Sequence, residues 1–392
     1  FIAVRDGVSV NQNEVRDGFK KVMSARLSDA VFFFENDKKA GLEFFKQKLA
    51  NVLFLEGLGS MLDKSARTEK LALWLCEKTA NTALNQTVQY AASHAYADLA
   101  SHVVYEFPEL QGYMGGEYAA LEGHKEEAAA MRDFYYPLTS TSALPATVAG
   151  NLVALAGKMD TLVGNFLIGQ IPTGSEDPFA LRRQAFAVVR ILLEKGLQVS
   201  LKELLEASAA LYPQGTPDKG LKELRGFLFQ RLALVLEQRG HAAGVVNAVT
   251  NWYELPLTQV EALVGALETV KTGAEFSAVL ESAKSVCNIL KKAENVTENV
   301  QENLFELPAE KELYNKIHEV DSALGCTVHT AKAKDEYLQI LKTYGSFKAP
   351  LERFFTDVMV NAQDPAVRAN RLALLARVRR YLTQTVADIT KL

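Results

Sequence analysis

Apolar residues recur at helical spacing along most of the chain. Leu42, Phe45, Leu49 and Val52 lie three or four residues apart, which places them on one face of a helix. Alternation with a period of two, the mark of a half-buried strand, is nearly absent. Residues 1–4 (FIAV) are the exception and predict one short strand. The pattern therefore predicts an all-α protein that begins with a single strand.

Two segments have the spacing of a capping box, in which a hydroxyl side chain and an acid three residues later satisfy each other's free N–H groups. Ser200 with Glu203 is one, and Thr258 with Glu261 is the other. Each precedes an apolar run. We therefore expect helices to begin next to Ser200 and Thr258.

Residues 164–183 combine glycines, a proline and a helix start. Asp177 followed by Pro178 predicts a helix with Asp177 as its N-cap and Pro178 at its first position, and Gly196 predicts its end. The free N–H groups of such a helix start can bind an anion. A purely structural loop between helices is the alternative interpretation.

The helix after this loop is predicted to be apolar on nearly every side, yet Arg183 and Arg190 lie seven residues apart on one stripe of it. Cations on a largely buried helix need acidic partners or a phosphate. The sequence leaves both open: an internal salt bridge or an anion contact.

Three polar or turn-rich stretches, residues 212–220, 252–256 and 295–308, separate the helical patterns. A chain of 392 residues is too long for one ordinary core. The first residue is Phe rather than Met, so we interpret the start as trimmed. The predicted division is the end of a truncated N-terminal module over 1–20, a helical domain over 21–195, a connecting helical region over 196–272, and a C-terminal helical domain over 273–392.

Composition narrows the class of protein. Apolar residues make up 48% and charged residues 23%, as in a globular protein in water. No apolar run approaches the roughly 18 residues of a membrane span. Cys76, Cys287 and Cys326 are far apart, which argues against a zinc site or a disulfide framework and fits a reducing cytoplasm. The net charge of −4 gives no global attraction to nucleic acid, although a local basic surface remains compatible with it.

Charge changes sign at the C-terminal end, where residues 365–392 carry six cations and one anion. A helical wheel places Arg371 inside the apolar arc, so we expect it to be paired internally. Arg377 and Arg380 point away from that arc and are predicted to be free for phosphate, with Arg368 at the rim. A solvated helix face is the alternative. The predicted buried arc contains Val367, Leu374, Leu375, Val378, Tyr381 and Leu382.

His94, Asp98 and His102 are spaced four apart, which would place them on one face of a helix, and Asp160 could add a fourth metal ligand. Histidines at the surface or the edge of the core are the ordinary explanation, and we expect no metal. The chain contains neither a GxxxxGK[ST] phosphate loop nor a GxSxG nucleophile motif. The residues therefore indicate no catalytic site.

Several segments together resemble the β subunit of bacterial-type glycyl-tRNA synthetase, and they extend over almost the whole chain. The resemblance is carried by residues 24–34 (SARLSDAVFFF), 52–67 (VLFLEGLGSMLDKSAR), 106–115 (EFPELQGYMG), 158–164 (KMDTLVG), 168–183 (IGQIPTGSEDPFALRR), 354–362 (FFTDVMVNA), 368–375 and 387–389.

The resemblance implies a glycine–tRNA ligase made of α and β subunits. The α subunit would hold the catalytic core with ATP and Mg, so no cofactor is expected in this chain. The β subunit would bind glycine-specific tRNA through an HD-like helical domain and a C-terminal helical anticodon-binding domain. It implies a cytoplasmic protein without a membrane or DNA partner. Two alternatives remain: a metal-dependent HD-type phosphohydrolase and a non-catalytic helical scaffold.

Ala97-Asp98 departs from the His-Asp pair that a working HD phosphohydrolase needs, so the resemblance implies an HD-like fold without metal chemistry. We expect Asp98 and Asp160 to have structural roles. The same role is expected for Arg371, Asp177 and Pro178. The candidate tRNA-binding residues are Arg377, Arg380, Arg368, Arg182, Arg183, Lys64 and Arg67.

Overall fold

The computed structural model describes residues 1–7, 10–174, 176–212, 218–325 and 330–392. Across these residues, helices are joined by turns, and pairing between extended segments is limited to isolated bridges. The predicted all-α class is confirmed. The predicted strand over residues 1–4 is wrong, because these residues have no extended partner among the described residues and are exposed.

The chain forms two compact units, residues 1–187 with 207–221, and residues 188–206 with 222–392. The four-part division of the sequence stays a prediction. Cys326 and most of the predicted loop over 212–220 lie outside the described residues. In the part of the chain that the structure describes, no helix has the length and apolar character needed to cross a membrane.

The first unit is a cluster of helices around one buried helix. Its helices are α1 (Gln12–Ala40), α2 (Leu42–Lys48), α3 (Met61–Lys78), α4 (Asn85–His94), α5 (His102–Glu106), α6 (Tyr113–Leu121), α7 (Lys125–Arg132) and α8 (Val148–Leu167). Three further helices have residues in both units: α9 (Leu181–Glu194), α10 (Leu201–Ala209) and α11 (Asp218–Gln238).

Helix α8 is the central element of this unit, with almost every side chain buried, and it packs against α3, α4 and α7. Small residues make this close packing possible. A Cβ on Gly157 would lie 2.5 Å from the Phe134 ring and 2.9 Å from the Tyr96 hydroxyl. Any larger residue at position 157 would therefore push these aromatic rings apart.

The second unit continues with α12 (Ala243–Ala248), α13 (Leu257–Lys271), α14 (Ala274–Lys291), α15 (Pro308–Leu324), α16 (Lys334–Gly345), α17 (Lys348–Asp357) and α18 (Pro365–Arg380). Helix α13 packs on α16, α14 on α18 and α15 on α17. The predicted apolar arc is confirmed, since its four residues on α18 and the following Tyr381 and Leu382 are all buried. Tyr344 and Phe347 are also buried and pack against the Tyr381 ring.

The two predicted capping boxes have different outcomes. At Ser200 the box is confirmed: the Glu203 amide donates to the Ser200 hydroxyl over 3.1 Å, and the Ser200 amide donates to the Glu203 carboxylate over 3.0 Å. At Thr258 a helix does begin next to the predicted position, but the predicted box is wrong, because α13 starts at Leu257 with Pro256 as its N-cap.

The predicted start of the helix after residue 177 is also displaced. Asp177 accepts hydrogen bonds from the amides of Leu181 and Arg182, at 2.7 and 3.0 Å, so it does satisfy the start of α9. Pro178, however, lies in a turn before the helix rather than at its first position. The expected end is confirmed: α9 ends at Glu194, and Gly196 follows with a φ of +63°.

Candidate functional sites

A buried ionic cluster joins α3 to α8. The Lys64 ammonium donates to the Asp160 carboxylate at 2.8 Å, to the Thr161 hydroxyl at 2.8 Å and to the Gly157 carbonyl at 3.4 Å. Arg67 Nε donates to the other carboxylate oxygen of Asp160 at 2.8 Å. All three N–H donors of the ammonium are therefore used, and one carboxylate serves two cations.

The start of α3 sets this geometry. Ser60 and Asp63 form a capping box, with the Asp63 amide 3.2 Å from the Ser60 hydroxyl and the Ser60 amide 2.7 Å from the Asp63 carboxylate. Lys64 directly follows this box, Arg67 lies three residues further on, and both are buried, with 3% and 8% of their surface exposed. Lys64 and Arg67 are therefore core residues, and their burial leaves almost no surface on which tRNA could contact them.

The cluster also determines which groups are charged. Burial alone would raise the pKa of Asp160, but the charges of Lys64 and Arg67 outweigh it and hold the pKa below its ordinary value. Burial lowers the pKa of Lys64, against the opposing effect of Asp160. Tyr212 completes the cluster by donating to the Asp160 carboxylate over 3.0 Å. Asp160 thus holds two helices together through ionised groups.

Asp98 has a different structural role, as a hydrogen-bond acceptor for backbone amides. Its carboxylate accepts the amides of Gly112 and Gly115, at 2.6 and 3.0 Å, and so satisfies the start of α6. Asp98 is fully buried, and burial raises its pKa to about 6.

The prediction that His94, Asp98 and His102 share one helix face is wrong. His94 ends α4, Asp98 lies in the short helix Ala97–Ala100, and His102 begins α5. Each histidine has its own acid: His94 Nε2 lies 3.0 Å from Glu43, and His102 Nδ1 lies 2.6 Å from Asp37. The backbone turn at Ser101 separates the elements.

These residues do not fit the metal that an HD-type phosphohydrolase would hold. Position 97 is alanine, Asp98 is directed to backbone amides, and both oxygens of Asp160 are engaged by cations. A divalent ion would have to displace Lys64 and Arg67. Among the described residues, no group of three or more His, Cys, Asp or Glu side chains is arranged to hold one.

The purified chain is therefore expected to contain no stoichiometric zinc, manganese or iron. Elemental analysis after dialysis checks this, with the Asp98→Ala variant as a comparison. One metal ion per chain that is lost in this variant would contradict the structural role of Asp98.

Around the start of α9, Arg182 and Arg183 are held by backbone carbonyls rather than by acids. Arg182 donates to the Gly174 carbonyl at 2.8 Å, and Arg183 makes a long contact of 3.4 Å to the Leu138 carbonyl. Arg190, further along the helix, pairs with Glu194 at 2.6 Å. The internal salt bridge is thus the correct interpretation for Arg190, while Arg183 has no acidic partner among the described residues.

In the second unit, Arg371 has the internal partners expected from its place on the buried arc. Its Nε lies 2.8 Å from Glu310, which is fully buried, and its Nη2 lies 2.8 Å from Glu306. A third hydrogen bond runs from Nη1 to the Met359 carbonyl at 3.0 Å. Arg371 therefore joins α18 to the start of α15.

The prediction that Arg377 and Arg380 are free for phosphate is wrong for this structure. Arg377 pairs with Asp321 at 2.9 Å, and Arg380 pairs with Glu298 at 3.1 Å and with Asp321 at 3.5 Å. A helical wheel gave their direction correctly, but it carries no information about acids on neighbouring helices. Their role as tRNA contacts stays a prediction.

Arg368 lies instead in a groove of about 560 Å³ beside the end of α14. Lys292, Asn288 and Asn361 line the same groove, together with Glu294 and the apolar residues Ile289 and Leu372. The side chains of Arg368 and Lys292 are exposed and form no ion pair within the described residues. Lys292 was not predicted, because it directly follows α14 and no local pattern shows that it meets Arg368 on α18.

Two models of known protein families match different parts of the chain. A model of the glycyl-tRNA synthetase beta subunit matches residues 1–251, and a model of the DALR anticodon binding domain matches residues 279–389. The Arg368 groove lies within the second match.

Relatives named glycine–tRNA ligase beta subunit match the entire chain. The protein of Dechloromonas aromatica is 39% identical over 395 residues, covering 55% of its own length, and that of Ectopseudomonas mendocina is 38% identical over 395 residues, covering 57%. The protein of Desulforamulus reducens is 38% identical over 399 residues, covering 56%. The chain thus spans a little more than half the length of these relatives.

The first family match covers more than half of the chain and includes the ionic cluster of Lys64, Arg67 and Asp160. The resemblance seen in the sequence motifs is confirmed. The chain therefore belongs to the glycyl-tRNA synthetase β-subunit family.

Proposed function

We propose that this chain is the tRNA-binding part of the β subunit of a cytoplasmic glycine–tRNA ligase, and that it holds glycine-specific tRNA for a reaction carried out on an α subunit. ATP, Mg²⁺ and glycine would be bound by that partner. The described residues support such a division, because their buried carboxylates are occupied by structural cations and amides.

The observation that carries the proposal is the groove between α14 and α18. Arg368 and Lys292 supply charge that is not neutralised by an ion pair within the described residues. Arginine and lysine contacts to phosphate fix the position of a nucleic acid, whereas amide side chains such as Asn288 and Asn361 can hydrogen-bond base edges. The groove therefore offers both kinds of contact that an RNA loop requires.

The other candidate cations are less available to bind phosphate. Arg377 and Arg380 would first have to release Asp321 and Glu298, which costs part of the energy gained from a phosphate. Lys64 and Arg67 are buried in the ionic cluster. We therefore place the primary phosphate contacts at Arg368 and Lys292, with Arg377 and Arg380 as secondary candidates.

Arg368→Ala and Lys292→Ala are each expected to weaken binding of glycine-specific tRNA and to lower the salt slope by about one unit, because each removes one phosphate contact and the counterions it releases. Fluorescence anisotropy at several salt concentrations measures both effects.

Arg353→Ala is the matched control. Arg353 is an exposed arginine of the same unit, but it is already paired with Glu312 at 2.6 Å. Its loss should leave the slope unchanged. An unchanged affinity and slope in both groove variants, with tRNA still bound, would place the interface elsewhere and make the Arg182 and Arg183 region the next candidate.

A further inference from the structure

A cavity of about 250 Å³ lies in the first unit, between the middle of α8 and the first residues of α9. The residues lining it include Lys158, Arg183, Gln111, Gln184, Tyr135 and Phe134. Thr161 also contacts it, so the cavity lies beside the ionic cluster, but Lys64, Arg67 and Asp160 do not line it.

Lys158 is a buried cation that forms no ion pair with an acid in the described part of the chain. Only 7% of its surface is exposed, and its ammonium donates to the Phe134 carbonyl at 2.9 Å. An ammonium has three N–H donors, so the other two are left for another acceptor. Buried cations are normally paired, because an uncompensated charge in a protein interior is costly. The contrast with Lys64, whose three donors are all satisfied, is direct.

Arg183 adds a second positive charge to the same cavity. Its side chain is exposed, and its described contact is the long one to the Leu138 carbonyl. Among the described residues that line the cavity, none is an aspartate or a glutamate. The Tyr135 hydroxyl, also in the lining, is buried without a hydrogen-bond partner in the described structure. Two cations and a hydroxyl without a described partner thus line this cavity.

We propose that this cavity binds the phosphate group of a small molecule, with Lys158 on its floor, Arg183 at its mouth and the Tyr135 hydroxyl as a further donor. Lysine and arginine are the usual partners of phosphate, through charge-assisted hydrogen bonds. The volume fits a phosphate group on a small carrier. Inorganic phosphate and a phosphomonoester such as a nucleotide share this chemistry. The inference does not depend on tRNA binding.

The charges around Lys158 would favour a bound anion. Burial, and then the charge of Arg183, lower the pKa of Lys158 to about 7. A bound dianion would oppose both effects and favour the charged ammonium. Among the other groups that line the cavity, burial raises the pKa of Tyr96 and of Tyr135 and keeps both neutral. Asp160, two residues further along α8, stays ionised between Lys64 and Arg67, whose charges hold its pKa low.

The test is calorimetric titration of the whole chain with sulfate, a tetrahedral dianion whose charge is constant above pH 6, at fixed ionic strength. We expect saturable binding at one site, weakened about tenfold or more in Lys158→Met and clearly weakened in Arg183→Met. Arg182→Met is the matched control and should bind as the wild type does, because Arg182 is held by the Gly174 carbonyl outside the cavity. Arg183 is exposed, so its variant keeps the test valid if Lys158→Met folds poorly.

The dependence on pH gives an independent readout. With a Lys158 pKa of about 7, sulfate affinity of the wild type should fall about tenfold between pH 6 and pH 8 as the ammonium loses its proton. The Lys158→Met variant should show no such fall.

Separate titrations with inorganic phosphate, adenosine 5′-monophosphate and adenosine distinguish the sources. Similar binding of the first two would indicate that the phosphate group suffices, and tighter binding of the nucleotide would indicate that the walls also contact the carrier. No saturable binding of sulfate or phosphate by the wild type, full binding by both variants, or adenosine binding as tightly as its monophosphate would each overturn the proposal.

Discussion

Replacing Asp160 by asparagine is expected to lower the free energy of unfolding of the first unit by about 3–5 kcal/mol, the usual cost of breaking a buried ion pair from one side. The substitution keeps the shape of the side chain but leaves the buried cations Lys64 and Arg67 without their shared negative charge. Urea unfolding followed by circular dichroism measures the loss.

Glu117→Gln is the control, because Glu117 forms a partly exposed pair with Arg132 at 2.7 Å in the same unit. Its loss should cost no more than about 1 kcal/mol. An Asp160→Asn variant as stable as this control would contradict the structural role of the cluster.

The stability that Asp160 contributes should depend on pH in a defined direction. The pKa of Asp160 is held below its ordinary value of 3.8, so the stability it contributes is fully present above pH 3.8 and is lost as the pH falls through its lower folded value. The difference in stability between wild type and Asp160→Asn should therefore be constant near neutral pH and shrink in strong acid.

The second large effect is expected at Arg371. Arg371→Ala should destabilise the C-terminal bundle by about 3–5 kcal/mol, because it would leave the fully buried Glu310 carboxylate without its cation. A double variant, Arg371→Met with Glu310→Gln, removes both charges and should recover part of the loss.

Arg380→Ala on the same helix provides the comparison. Arg380 and its partner Glu298 are both more than a third exposed, so its loss should cost no more than about 1 kcal/mol. Melting temperatures of the three variants rank these effects. Equal melting temperatures for Arg371→Ala and Arg380→Ala would show that the buried pair contributes no more than the exposed one.

Features that depend on one helix could be predicted from the sequence. The periodic spacing of Leu374, Val378 and their neighbours determines which side of α18 is buried, and the same wheel placed Arg371 inside the core. The Ser200 capping box needs residues only three apart, so it was also visible.

Contacts between distant segments could not be predicted in this way. Lys64 and Asp160 are 96 residues apart, and Arg380 and Glu298 are 82 apart. No local pattern records that such residues meet. The Arg368 groove could not be predicted for the same reason, because Lys292 comes from the end of α14 and not from α18.

Two errors had local causes. Ser101 is extended, and its hydroxyl accepts the amide of Val104, which begins a new helix and separates His102 from His94. Pro256 is the N-cap of α13, so Thr258 already lies inside the helix and cannot cap it. In both places the spacing of the residues was as expected, but a different residue determined where the helix begins.

The proposed function is tested most directly by titrating the chain with glycine-specific tRNA and with an unrelated tRNA, side by side at two salt concentrations. We expect the glycine-specific tRNA to bind more tightly at both, with an affinity that falls as salt rises, because phosphate contacts release counterions while base contacts supply the preference. Equal affinity for the two tRNAs, or no binding of either, would contradict the proposal that this chain recognises the tRNA.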